Sequence, residues 1–386
     1  MKKGGFSTRC IHEAEDPEET KDGDVVTPIH PSSTFAKKSI DRLEEGYSYS
    51  RTSNPTRYRL ERKLASLENG DFGLAFASGL AAETAVLSSL LEEGDHIVAF
   101  EQLYGGTKRL FDEVMKDFGL DTDYVDATDP KKVEEKVTEE TKIIWLESPT
   151  NPLMKIADIG EISEIAHNVG AKVVVDNTFA TPYFQRPLEL GADVVVHSLT
   201  KYLGGHSDLI GGGVITRDEE LHEKIKFHQK AAGAILSPFD SWLAIRGIKS
   251  LKPRMELHFR NAYKTAEYLE EHEKVEDVYY PGLRSHPQHV LAKAQMDGYG
   301  GMLSFEVQGG LKEAKKFVEE LDLFTLAGSL GGVESLVQIP SLMTHSHLSE
   351  EEREKVGIKD NLVRLSVGIE EVEDLLNDLE RALEEM

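Results

Sequence analysis

The chain is poor in cysteine, in basic charge and in long apolar runs. A single cysteine, Cys10, among 386 residues rules out an internal disulfide and any multi-thiolate metal site. Lys and Arg number 44 against 69 Asp and Glu, a formal charge of −25. So acidic a balance opposes phosphate backbones and anionic lipid, both of which need basic patches. No stretch approaches the roughly 18 consecutive apolar residues of a membrane span, and the opening MKKGGFSTRC lacks the apolar core of a signal peptide. The expected compartment is the cytoplasm, with neither nucleic acid nor membrane as a partner. GxGxxG, GxxxxGK[ST] and HExxH are also missing, which removes the main support for a Rossmann dinucleotide site, a P-loop and a zincin. His345 and His347 read as solvated or capping loop histidines, and no metal is expected.

What is present suits a large globular protein. Hydrophobic residues make up 39% and charged residues 29%, ample for a core. At about 100–200 residues per domain, the length allows two domains. Residues 1–50 are polar and interrupted by Pro17, Pro28 and Pro31, and are expected to form an extended arm. Beyond Pro55, Leu60, Leu64 and Leu67 recur at helical spacing and Gly70 supplies a stop. Short apolar runs at 74–77, 97–100, 143–146, 172–175 and 193–196 then alternate with amphipathic stretches such as 161–168. That rhythm predicts βαβ units and a mostly parallel sheet buried on both faces. Past Pro238 it gives way to helices near 242–246 and 255–271, a strand at 301–307 and a charged amphipathic helix from Glu370. The expected organisation is an arm (1–50), a large α/β domain (51–240) and a smaller α+β domain (241–386).

Ligands of such sheets sit at the carboxyl ends of the strands, and there the polar motifs fall: Ser78-Gly79, Glu147-Ser148-Pro149, Asp176 and His197-Ser198. The most informative segment is SLTKYLGGHS, starting at Ser198. A lysine beyond a strand end, Lys201, flanked by the hydroxyls of Ser198 and Thr200, can lose charge in a desolvated pocket and attack a carbonyl to form a Schiff base. The hydroxyls can hold a phosphate of the same ligand. Asp176, ending the preceding strand, can keep a pyridine nitrogen protonated. Singly, Lys201 reads as a surface lysine and Asp176 as a cap or turn residue; at neighbouring strand ends the joint reading is the stronger. Ser78-Gly79-Leu80 marks a strand-to-helix turn whose free N–H groups favour phosphate. Tyr104, beside Gly105 and Gly106, suits either a flat ligand or the core. Arg364, in the apolar run VRLSV, needs an anion: a substrate carboxylate or an internal salt bridge.

These residues resemble the pyridoxal-phosphate enzymes of cysteine and methionine metabolism, which include the cystathionine γ-lyases, cystathionine γ-synthases, methionine γ-lyases and O-acylhomoserine sulfhydrylases. The similarity runs from about Thr8 to the C-terminus. It is carried by YSRTSNPT from Tyr49, ASGLAA from Ala77, YGGT from Tyr104, ESPTNP from Glu147, VDNTF from Val175, SLTKYLGGHSD from Ser198, SLGGVESL from Ser329 and RLSVG from Arg364. The resemblance implies a fold-type I transferase fold, with Lys201 as the Schiff-base lysine and Asp176 facing the pyridine nitrogen. Gly79, Leu80, Ser198 and Thr200 would hold the phosphate. Tyr104 would stack on the ring and assist proton transfer, Asn151 would lie near its phenolic oxygen, and Ser329 and Arg364 would receive the substrate carboxylate. Tyr49 and Arg51 would reach the phosphate of a neighbouring subunit, implying a homotetramer of dimers with shared sites.

The implied substrate is a small sulfur amino acid, and the implied reaction is cystathionine cleavage at Cγ–S. The alternatives are γ-replacement (cystathionine γ-synthase or O-acylhomoserine sulfhydrylase) and methionine or homocysteine γ-lyase. Gly106 stands where many methionine γ-lyases carry cysteine. Ser48 and Gly328 stand where cystathionine γ-lyases often carry acids for the distal ammonium, so relaxed specificity is expected. A cofactor-free Schiff-base lyase has no use for Asp176 and the Ser78-Gly79 turn, and a non-catalytic assembly protein has no need of Lys201.

Overall fold

The computed structural model describes residues 4–346 and 348–386; His347 lies outside the described residues. The central sheet has strands β1 (Phe72–Phe76), β2 (His96–Phe100), β3 (Asp121–Val125), β4 (Thr141–Glu147), β5 (Lys172–Asp176), β6 (Val194–Ser198) and β7 (Gly212–Thr216). Their order is β1-β7-β6-β5-β4-β2-β3. Only β7 runs against the rest, pairing antiparallel with both β1 and β6. The mostly parallel α/β reading holds. β3 and β7 escaped the sequence reading because β3, DTDYV, is a polar edge strand and β7 opens on two glycines.

Helices cover both faces because successive strand residues point to opposite sides. Along β1, Leu74 and Phe76 join one apolar layer and Ala75 the other. The first layer includes α3 (Gly79–Leu90) and α6 (Ile159–Asn168). Near it lie the short α4 (Gly105–Arg109) and α5 (Pro130–Lys136). The second layer holds α2 (Pro55–Leu67), which begins on an Asn54 cap with Pro55 in the first turn and buries Leu60, Leu64 and Leu67. Helix α8 (Glu219–Ala232) packs on α3 and belongs to the first layer through Leu221 and Ile225, whereas α7 (Thr181–Phe184) and α9 (Pro238–Lys249) join the second.

Helix α10 (Leu251–Glu270) joins two cores, placing Met255 in this layer and Ala262, Ala266 and Leu269 in the next. That next core lies on a second sheet of β8 (Val275–Tyr279), β9 (Met302–Val307), β10 (Thr325–Leu326), β11 (Leu336–Gln338) and β12 (Leu362–Ser366), ordered β10-β11-β12-β9-β8. The remaining helices are α11 (His289–Gln295), α12 (Leu311–Glu319), α13 (Glu350–Lys355) and α14 (Val372–Glu385). Among the described residues, no helix is long and apolar enough to cross a membrane.

The N-terminal arm is not wholly extended. Residues Phe6–His12 form α1, which buries Cys10. The reading missed it because seven residues are too few for a periodic signal and tertiary contacts stabilise the helix. Lys63 of α2, fully buried, donates to the Cys10 carbonyl at 2.7 Å and pairs with Glu15 at 2.6 Å. Lys249 of α9 meets the same carboxylate at 2.8 Å.

Candidate active site

Parallel pairing brings the ends of β4, β5 and β6 side by side, with Glu147 opposite Asp176 and Asp176 opposite Val196. A cavity of about 400 Å³ opens there, between the sheet ends, the start of α3 and the 328–330 segment. Lys201 enters it from the turn after β6. Its Nζ donates to Ser329 Oγ at 2.6 Å. Burial, reinforced by the charge of Arg364 and opposed by Asp176, lowers its pKa to about 8. An amine in that range is a usable nucleophile and base near neutrality.

Asp176 closes β5 and accepts from the Thr178 N–H at 2.9 Å. Burial raises its pKa, while Thr178, His197 and Lys201 pull the other way. A carboxyl so placed is matched to a cationic partner. The phosphate-like end is built by α3. Ser78 caps it by accepting from Ala81 N at 3.0 Å, and Gly79 and Leu80 in its first turn line the cavity. A Cβ on Gly79 would lie 3.3 Å from Ser198 Cβ. Ser198 and Thr200 line the same wall; Thr200 Oγ1 also accepts from Gly211 N at 3.1 Å. Helix N–H groups beside hydroxyls form an anion cradle.

Tyr104 caps α4 and is 44% exposed at the cavity wall, so it is not a core tyrosine. Its N–H donates to Glu147 Oε2 at 2.7 Å, and the Asn151 N–H donates to Glu147 Oε1 at 3.0 Å. A side chain on Gly106 would run into the Tyr104 ring, so the second glycine of that turn makes room for the phenol. Arg364 lies in β12, 2% exposed. It donates to Asn151 Oδ1 at 2.9 Å and to the Ser329 carbonyl at 2.8 Å. Gln338, opposite it in the ladder, completes the cradle when its amide oxygen faces the guanidinium. Burial lowers the Arg364 pKa to about 10, which leaves it charged. Among the described residues it makes no ion pair; the internal salt bridge weighed above is absent. Ser329, between Lys201 and Arg364, has φ +79°, a left-handed conformation that a non-glycine residue adopts at a cost of about 1–3 kcal/mol.

A comparison over the whole chain agrees with this geometry. The model of the Cys/Met metabolism PLP-dependent enzyme family matches residues 7–384. The chain belongs to this family. It is 53% identical over 384 residues to a cystathionine beta-lyase of Coxiella burnetii, covering 99% of this chain and 98% of that one. It is 48% identical over 379 residues to a cystathionine gamma-lyase of Dictyostelium discoideum, covering 98% and 97%. The solved cystathionine gamma-lyase of Lactobacillus plantarum, complexed with L-serine, superposes with a TM-score of 0.94 at 47% identity, covering 99% of each chain.

The cavity of this PLP-dependent enzyme fits pyridoxal phosphate on its own chemistry: an amine of lowered pKa, a buried acid and an anion cradle on one wall. Ten of the expected site residues meet there: Gly79, Leu80, Tyr104, Asn151, Asp176, Ser198, Thr200, Lys201, Ser329 and Arg364. Tyr49 and Arg51 do not. Arg51 donates to the Lys230 carbonyl and stacks over Tyr49, whose ring is 46% exposed. His345 is buried rather than solvated, its Nδ1 2.9 Å from Thr344 Oγ1. The sequence reading gave no role to Glu83, Glu147 or Gln338. A lone acid in the apolar helix GLAAETAVL was the available signal for Glu83; Gln338 gave none, because its place is set by the pairing of β11 with β12.

Proposed function

We propose that the enzyme cleaves cystathionine at the Cγ–S bond, consuming water and giving cysteine, 2-oxobutanoate and ammonia. The observation that carries an amino-acid substrate is Arg364: a buried guanidinium that makes no ion pair with a carboxylate among the described residues, across one cavity from the Lys201 amine. Bidentate capture of an α-carboxylate is the natural use of such a group. Bound pyridoxal phosphate supplies the sink for negative charge at the substrate's α-carbon. In this reading Lys201 would anchor it, Asp176 would pair with its ring nitrogen, Tyr104 would cover its ring, Asn151 would serve its phenolic oxygen, and Gly79, Leu80, Ser198 and Thr200 would hold its phosphate. Arg364 and Ser329 fix the substrate. With the group bound, the Lys201 amine would serve as the base for the α-proton and then for one from Cβ, and Tyr104 would protonate the departing sulfur.

The names of the relatives support cystathionine as substrate, and they divide over the bond broken. The 53% identity to a cystathionine beta-lyase favours a second reading, Cβ–S cleavage giving homocysteine, pyruvate and ammonia. Product identification decides. Incubation with cystathionine should give 2-oxobutanoate and cysteine; pyruvate with homocysteine establishes the second reading. Formation of cystathionine from O-acylhomoserine and cysteine at a greater rate than its cleavage would make the enzyme a synthase. The reading also includes a dimeric catalytic unit, paired into a homotetramer in the cytoplasm, in which Tyr49 and Arg51 serve the neighbouring subunit's phosphate.

A further inference from the structure

Glu83 takes no part in the chemistry above. It lies in the second turn of α3, 3% exposed, and yet it lines the cavity. Its Oε1 accepts from the Thr107 hydroxyl of α4 at 3.1 Å. Its Oε2 is shut off from solvent, and no donor among the described residues reaches it. The charges that bear on it are carboxylates, Asp176 from β5 and Glu147 from β4. The cations across the cavity act elsewhere: Lys201 bears on Asp176, and Arg364 on Glu147.

A buried carboxyl whose charged neighbours are acids keeps its proton, because ionising it would cost both desolvation and repulsion. Burial and Asp176 hold Glu83 well above the usual carboxyl range, with the Thr107 bond acting in the opposite sense. Since Thr107 already donates to Oε1, the proton belongs on Oε2, the oxygen without a partner.

We propose that Glu83 is a positioning residue for Asp176: a carboxylic acid that donates its Oε2 proton as a hydrogen bond to the Asp176 carboxylate where that group meets the ring nitrogen. The ring-nitrogen end then carries one negative charge, on Asp176, against one positive charge on the protonated ring. The donated bond also keeps Asp176 from drawing the ring proton to itself. This inference rests on the ring-nitrogen role proposed for Asp176.

The test uses holoenzyme of the wild type, Glu83→Gln, Glu83→Leu and Asp176→Asn, with readouts other than turnover. In infrared difference spectra, the carbonyl stretch of a protonated carboxylic acid should be lost in Glu83→Gln. The amide of Gln is neutral and still a donor, so the pH midpoint of the bound cofactor's visible absorbance should stay where it is in the wild type. Glu83→Leu removes the donor. The midpoint should rise, and cofactor should dissociate about tenfold faster or more, since a hydrogen bond to a charged group contributes about 1.5–3 kcal/mol. Survival of the acid band in Glu83→Gln overturns the inference. So does a fall of its midpoint by about one pH unit or more, the effect of deleting an ionised neighbour. A Glu83→Leu protein matching the wild type in both midpoint and cofactor release also overturns it. If Glu83→Leu does not fold, the two readouts on Glu83→Gln decide. A wild-type absorbance titration in Asp176→Asn would instead refute the ring-nitrogen role of Asp176, whatever the Glu83 variants show.

Discussion

Lys201 shows how one side chain changes character with its surroundings. Exposed, it would be charged throughout the physiological range; here burial and Arg364 bring its pKa to about 8. Its folded value lies below the unfolded one, so the neutral amine is favoured as pH rises through about 8. The rate at which cofactor-free protein takes up pyridoxal phosphate on Lys201 should therefore climb about tenfold per pH unit below that value and level off above it. Stopped-flow absorbance against pH checks this, and a flat profile between pH 6 and 8 (about two units) would count against a titrating Lys201. Gly328 supports a second expectation. It lines the cavity, has no left-handed φ, and a Cβ there meets nothing within 4 Å. Ser48, by contrast, is exposed and does not line the cavity. Gly328→Glu should lower the KM for cystathionine by up to about fivefold, the range of a solvent-accessible ion pair, and leave that for homocysteine little changed. Equal effects on both substrates would mean that the new acid does not read the distal ammonium.

Among the elements, the N-terminal helix α1 and the chain after it depend on α2 and α9 more than on themselves. The connection is the buried Glu15 carboxylate, held by Lys63 and Lys249 and by the Thr27 hydroxyl at 3.1 Å. Removing one member of a buried ion pair strands the other, at a cost of about 3–5 kcal/mol. Glu15→Gln should destabilise the protein by that order in chemical denaturation and expose the arm to proteolysis before the rest unfolds. A loss under about 1 kcal/mol would show that apolar contacts, not this pair, anchor the arm.

For the whole molecule, the separation of Arg51 and Tyr49 from the cavity is the decisive fact. Both belong to the YSRTSNPT motif, and both sit on the surface of this chain, away from Lys201. If a second copy supplies them, Arg51→Ala and Lys201→Ala should each be nearly inactive alone and should regain activity when their subunits are mixed and exchanged. In a hybrid dimer one site carries both defects and the other carries neither. Exchange confirmed by mass, with no return of activity, would refute the shared site.

The sequence by itself determined the parallel sheet, because buried strands of Val and Ile separated by amphipathic stretches have few other solutions. It also located the polar residues gathered at the strand ends, since Lys201, Asp176 and the Ser78-Gly79 turn each stand just past an apolar run. It could not reveal what needs neighbours distant in the chain. Helix α1 is too short to show a period and forms on surfaces made by α2 and α9. Strand β7, opening on two glycines, is a strand because β1 and β6 flank it. Arg364 lost its alternative as an internal salt bridge only when β12 was seen to bring it to Asn151 and Ser329. Glu83 reads in sequence as an acid on a helix, and folding alone places it near two other carboxyls, with no ion pair to a cation among the described residues. The physical reason is the same throughout: periodicity and turn chemistry are local and legible along the chain, whereas burial, charge pairing and the pKa values they set depend on contacts made only when the chain is folded.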